Sequence, residues 1–134
     1  MSKSNATETD LLNLVFKATA LPWNAATQLD VHLHTADPGE AGTSSTSEAT
    51  YTGYAVVTVS RSGSAWTVSG NTATNVGLIQ FPQCTGGSNT ITHVSITPNG
   101  STQILYSGAL NSSLSVSNGI QPQIAASQLT ISEE

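Results

Sequence analysis

The stretch Leu29-Asp30-Val31-His32-Leu33-His34-Thr35 decides the fold. Apolar and polar residues alternate along it without a break, the period of a β-strand whose two faces meet different surroundings. On this reading Leu29, Val31 and Leu33 point inward, while Asp30, His32 and His34 point to solvent. The signature recurs downstream. Tyr54–Ser60, Ala65–Ser69, Val76–Phe81, Thr90–Thr97, Gln103–Ala109, Leu114 with Val116, and Ser127–Ser132 are short and rich in β-branched residues. Between them lie Asp37-Pro38-Gly39, Gly70-Asn71, Gly86-Gly87, Pro98-Asn99-Gly100 and Asn118-Gly119, each a turn signal, and a Ser/Thr-rich loop from Gly42 to Thr50. About eight short strands joined by tight turns predict an all-β chain, an antiparallel β-sandwich or jelly-roll-like domain.

Upstream of the first strand, one helix is predicted at about residues 10–20. Thr9 or Asp10 caps it, Leu11, Leu12, Val15 and Phe16 form its apolar stripe, and Pro22 ends it. Residues 1–9 show no periodicity and read as an extended N-terminal arm. The expected organisation is therefore an arm over 1–9 and a single β-sandwich domain over 10–134 that includes the helix.

Composition narrows the function. Of 134 residues only 8% are charged, against roughly 25% in an average domain. Between Ala49 and Ser132 the one charged side chain is Arg61. With Lys3 and Lys17 as the only other cations and a net charge of −5, the chain cannot neutralise a phosphate backbone, which argues against nucleic acid as a partner. No run reaches membrane-spanning length, and MSKSNATETD lacks the basic-then-apolar order of a signal peptide, so no membrane partner and synthesis in a cytoplasm are expected. The single cysteine, Cys84, has no partner within the chain and reads as a small buried side chain.

The same scarcity argues against an enzyme. A hydrolytic triad needs a carboxylate to orient its histidine, and after Glu48 the next carboxylate is Glu133. Asp37, Glu40 and Glu48 share one loop, where solvation explains them better than paired acid–base work. Asp30, His32 and His34 have the His-x-His spacing of a metal site but lack supporting ligands, so neither metal nor cofactor is expected. Trp23 and Trp66, with Tyr51, Tyr54 and Tyr106, read as core or interface residues in preference to a sugar-stacking platform. Arg61 has either an exposed role or a specific acceptor, such as a carboxylate on another subunit.

Leu33-His34-Thr35-Ala36-Asp37-Pro38-Gly39-Glu40, followed by Tyr51-x-Gly53-Tyr54-Ala55-x-Val57, resembles a group of small β-rich virion proteins of tailed phages. Arg61-Ser62, Trp66, Phe81-Pro82, Thr92-His93, Leu105-Tyr106-Ser107-Gly108-Ala109-Leu110, Gly119-Ile120-x-Pro122 and Ala125-Ala126-x-x-Leu129-Thr130-Ile131 extend the likeness across most of the chain from about Leu11. Members are often labelled tail fibre proteins, and proteins of similar build serve as capsid cement or decoration proteins. The resemblance implies a virion component. A fibre shaft needs repeats or a coiled coil, and neither is present here. That favours a cement protein on the capsid exterior, with a fibre or tail-tip protein involved in host attachment as the alternative. In the cement reading the partner is the major capsid protein and the chain is a homotrimer. Ser2, Lys3, Ser4, Asn5 and Thr7 of the arm, with Trp23 and Arg61, are then the expected contact residues.

Overall fold

The computed structural model describes residues 1–134 and consists of ten β-strands and one α-helix in antiparallel sheets. Alternation at Leu29–Thr35 becomes strand β2 (Gln28–His34) at the inside of a five-stranded sheet. The other strands of that sheet are β1 (Ser2–Lys3), β3 (Val57–Ser60), β7 (Ser88–Pro98) and β8 (Tyr106–Ser117), in the order β1-β8-β7-β2-β3. A second sheet pairs β10 (Thr130–Ser132), β5 (Thr72–Asn75) and β4 (Trp66–Ser69), and a ribbon pairs β6 (Ile79–Gln80) with β9 (Gln123–Ile124). This is the expected all-β sandwich. Val31, Leu33, Ile91, Val94, Ile96 and Val116 from the large sheet meet Ile79, Phe81, Leu129 and Ile131 in one apolar core that also holds Cys84.

Turn chemistry places the hairpins. Ser69 pairs with Thr72 across Gly70-Asn71, and Gly70 takes a φ of 60°, the left-handed backbone that a two-residue loop requires at its first position. In the resulting small sheet, Thr67, Thr74 and Thr130 stand in one row and Ser69, Thr72 and Ser132 in another. The alternate residues Val68, Ala73 and Ile131 form an apolar row on its other face.

Four sequence expectations are corrected. The helix α1 runs over Asn5–Lys17, earlier than 10–20, because Ser4 caps it: its hydroxyl accepts from the Thr7 N–H at 3.3 Å. Ala18, in left-handed conformation, ends it four residues before Pro22. Residues 1–9 are therefore not an extended arm. Ser2 and Lys3 pair with Ser107 and Tyr106 of β8, Ser4 caps the helix, and Asn5 to Thr9 are its first residues.

The second correction concerns β8. Gln103–Ala109 and the Leu114–Val116 segment are not two strands. From Tyr106 they form one strand with a register shift against β7: Ile91 faces Leu114, yet His93 faces Ala109. The polar Asn111-Ser112-Ser113 run that separates them in sequence lies within this irregularity. Third, only Ile79 and Gln80 of Val76–Phe81 pair as a strand with β9; Val76 instead continues from β5, its N–H donating to the Ala65 carbonyl, and both Val76 and Leu78 are exposed.

Fourth, Asp30, His32 and His34 do lie opposite Val31 and Leu33, but they are buried rather than exposed to solvent. The segment after β2 folds back over that face and is tied down at three points. Thr35 N–H donates to the Ser47 carbonyl, Ala49 N–H to the Leu33 carbonyl, and Ser44 N–H to the Thr102 carbonyl.

Candidate functional site

The polar face of β2 is the first place to look for chemistry, and its groups are fully engaged. His32 places Nδ1 2.5 Å from Glu48 Oε2 and Nε2 3.0 Å from Thr97 Oγ1. His34, 0% exposed, bonds the Thr46 carbonyl through Nδ1 at 2.8 Å and the Ser95 hydroxyl through Nε2 at 2.7 Å. Asp30 accepts from the Thr58 hydroxyl, the Asn99 amide and the Gly100 N–H. All four imidazole nitrogens of the His-x-His pair thus hold protein partners: the Nδ1 atoms reach the covering loop at Glu48 and Thr46, and the Nε2 atoms reach β7 at Thr97 and Ser95. Of the loop carboxylates, Glu48 serves this network and Asp37 accepts from Gly39 N–H. His93 bonds the adjacent Thr92 hydroxyl.

The network makes stability depend on pH. Burial lowers the pKa of His34, with the backbone bond to Thr46 opposing only in part. Burial raises Asp30, but hydrogen bonds from Asn99, Thr58 and Gly100 outweigh it and hold the carboxyl below its usual range. In both cases the unfolded chain binds protons that the folded chain refuses. Stability is therefore full above about pH 6.5, falls as pH drops through the depressed pKa of His34, and falls again below about pH 4. Urea titrations from pH 8 to 3 are expected to show both declines. His34→Gln should remove the first and His93→Gln should leave it in place. A midpoint that stays flat between pH 7 and 5 would refute the assignment.

The residues expected to contact a partner are placed as follows. Ser4 and Thr7 are buried, and both hydroxyls donate to the Ile104 carbonyl, so they hold α1 on its own domain. Lys3 forms an ion pair with Glu133, to which the Tyr106 hydroxyl also donates, and this clasp brings the two ends of the chain together. The Lys3 bond and the Tyr106 bond both lower the Glu133 pKa. Ser2 and Asn5 are exposed, and the Asn5 N–H donates to the Glu40 carbonyl.

Arg61 finds its acceptors inside the chain, in the Asn24 and Ala26 carbonyls at 3.0 and 2.9 Å, and its guanidinium lies 5.4 Å from the Trp23 ring centre. Trp23 is half-buried and donates from Nε1 to Asp10 of α1. Together Asp10, Trp23 and Arg61 link the helix to the edge strand β3 through the 21–27 segment.

Sequence reasoning missed two apolar surfaces. On α1, Leu12, Val15 and Phe16 are 58, 69 and 79% exposed, although a stripe of that kind normally faces the core. Between the large and small sheets, an open groove of about 340 Å³ is lined by Leu29, Trp66, Val68, Ala73 and Ile131, with Arg61 beside them. No spacing rule reveals the groove, because its walls come from six strands spread between Leu29 and Ile131. The helix stripe was legible, but not the direction in which it points.

No helix is long and apolar enough to cross a membrane. No curated protein matches the chain. The family model described as Podophage GP4 fiber I protein gp80 matches residues 2–132. With nearly its whole length covered, and with the β-rich build expected of a small phage virion protein, the chain belongs to the Podophage GP4 fiber I protein gp80 family and is a structural protein of the phage virion.

Proposed function

We propose that this protein is a globular subunit of the phage tail's fibre apparatus and works as a homotrimer through protein–protein contacts. The family description supports the fibre assignment. The observation that carries the contact role is the set of large apolar side chains left in solvent: Leu12, Val15 and Phe16 on α1, Val68 on β4, and Leu78 just before β6. Exposed apolar surface of this extent marks a surface that is covered when the protein is at work. The sandwich supplies a rigid body, and the scarcity of charge leaves few surface ion pairs for salt to screen.

A second reading, the capsid cement protein that clamps the major capsid protein from outside, is favoured by one feature. The chain has no shaft of its own, neither repeat nor coiled coil. Its support from residues 1–9 is weaker, because that segment is folded onto its own domain and does not extend from it.

Copy number separates the two. Quantitative mass spectrometry of purified particles against the major coat protein, combined with antibody labelling in electron microscopy, is expected to give at most a few dozen copies, placed on the tail. On the order of hundreds of copies near a simple ratio to the coat, as icosahedral symmetry demands of a cement protein, would overturn the fibre reading.

A further inference from the structure

We propose that copies of this chain join head to tail, with the outward ridge of α1 from one copy seated in the groove between the two sheets of the next. The helix has two distinct faces. At 100° per residue, Thr7, Asp10 and Leu14 fall on one side and Glu8, Leu12, Val15 and Phe16 within an arc of about 100° on the other. The first side is fixed to the parent domain. Thr7 is buried against the Ile104 carbonyl, and Asp10 accepts from Gln103 and Trp23. The second side is the exposed ridge. While these polar bonds hold, the helix cannot turn that ridge onto its own sheet.

The groove is the complementary half. Its volume of about 340 Å³ lies at the low end for ligand cavities, and it is open along one side with an almost wholly apolar lining. That shape suits side chains projecting at i, i+3 and i+4 from an amphipathic helix. Leu12, Val15 and Phe16 have this spacing.

Charge selects a second copy as the occupant. The ridge carries one charged side chain, Glu8, and the groove lining carries one, Arg61, of opposite sign. Neither takes part in an ion pair within the chain, where Lys3 pairs with Glu133 and Glu48 is hydrogen-bonded to His32. One chain thus holds both halves of a single contact on different surfaces. Such a contact is heterologous: repeated with rotation it closes a ring, and repeated with translation it builds a filament. The inference stands whether the protein sits on the tail or on the head. With three copies it closes the homotrimer proposed above.

Equilibrium sedimentation of the full chain tests it. The wild type is expected to exceed monomer mass at tens of micromolar. The ridge variant Phe16→Asp and the groove variant Val68→Asp should each be monomeric, with unchanged circular dichroism and melting temperature, because both positions are exposed. Mixed in equal amounts, the two variants should form a dimer and stop there, since the intact groove of one accepts the intact ridge of the other. Glu8→Arg should weaken association more than about tenfold, and adding Arg61→Glu should restore it. A wild type that is monomeric at millimolar concentration, ridge variants that assemble normally, or a mixture that yields no dimer would each overturn the proposal.

Discussion

Asn75→Ala is expected to cost about 3–5 kcal/mol of stability, a large share of the 5–15 kcal/mol available to a typical domain. Asn75 is 1% exposed at the end of β5, where three pieces of chain converge. Its Nδ2 donates to the Gly77 carbonyl at 2.8 Å and the Ala125 carbonyl at 3.0 Å, and its Oδ1 accepts the Leu129 N–H at 2.9 Å. Alanine strips the buried Leu129 N–H of its partner and takes a donor from the Gly77 and Ala125 carbonyls, which sit at the solvent boundary. Each unsatisfied group costs roughly 1–3 kcal/mol, reduced where water can enter. Asn75→Asp should do little better, because it replaces the two donors with an oxygen that faces carbonyls. Urea unfolding with an unchanged slope reads the loss directly. A change below 1 kcal/mol would show that the three segments hold together without this side chain. The damage extends to the groove, since β5 and β10 supply Ala73 and Ile131 to its wall.

Gly42→Ala should be nearly as harmful, at about 2–4 kcal/mol, for a steric reason. A Cβ at this position would stand 1.9 Å from the Pro38 carbonyl oxygen and 2.8 Å from its carbon. Backbone atoms cannot rotate aside as a side chain can, so the tight loop after β2 has to open. That loop is held by Gly42 N–H on the Gly39 carbonyl and by Gly39 N–H on Asp37. It also supplies the Glu40 carbonyl that accepts the first N–H of α1. Hydrogen exchange should therefore show the start of α1 losing protection before the sheets do. Gly63→Ala is the control, because nothing lies within 4 Å of its Cβ position and its backbone is unstrained. If Gly42→Ala and Gly63→Ala behave alike, the loop is not under the constraint described.

Several features follow from neighbouring residues alone, and these were legible in the sequence. Strict alternation at Leu29–Thr35 marked β2, Gly70-Asn71 marked the β4–β5 hairpin, and the apolar context of Cys84 marked a buried side chain. Depletion of carboxylates after Glu48 spoke against catalytic constellations without reference to any fold. The start of α1 was also written there, in Ser4 with Thr7. It is obscured because apolar periodicity begins only at Leu11, whereas a hydroxyl cap acts locally on the first orphan N–H groups.

Neighbouring residues alone thus set the strand period, the turns and the inward direction of Val31 and Leu33 on β2. Tertiary structure alone decided what covers the second face of β2, and so turned three polar residues expected in water into a buried network under the loop after that strand. It also decided that α1 is anchored by polar bonds with its apolar stripe turned outward, and that strands far apart in sequence leave a groove of matching character. The reason is one of range. Period and turn chemistry depend on backbone geometry over a few residues, but the side of an element that meets solvent depends on contacts between segments tens of residues apart.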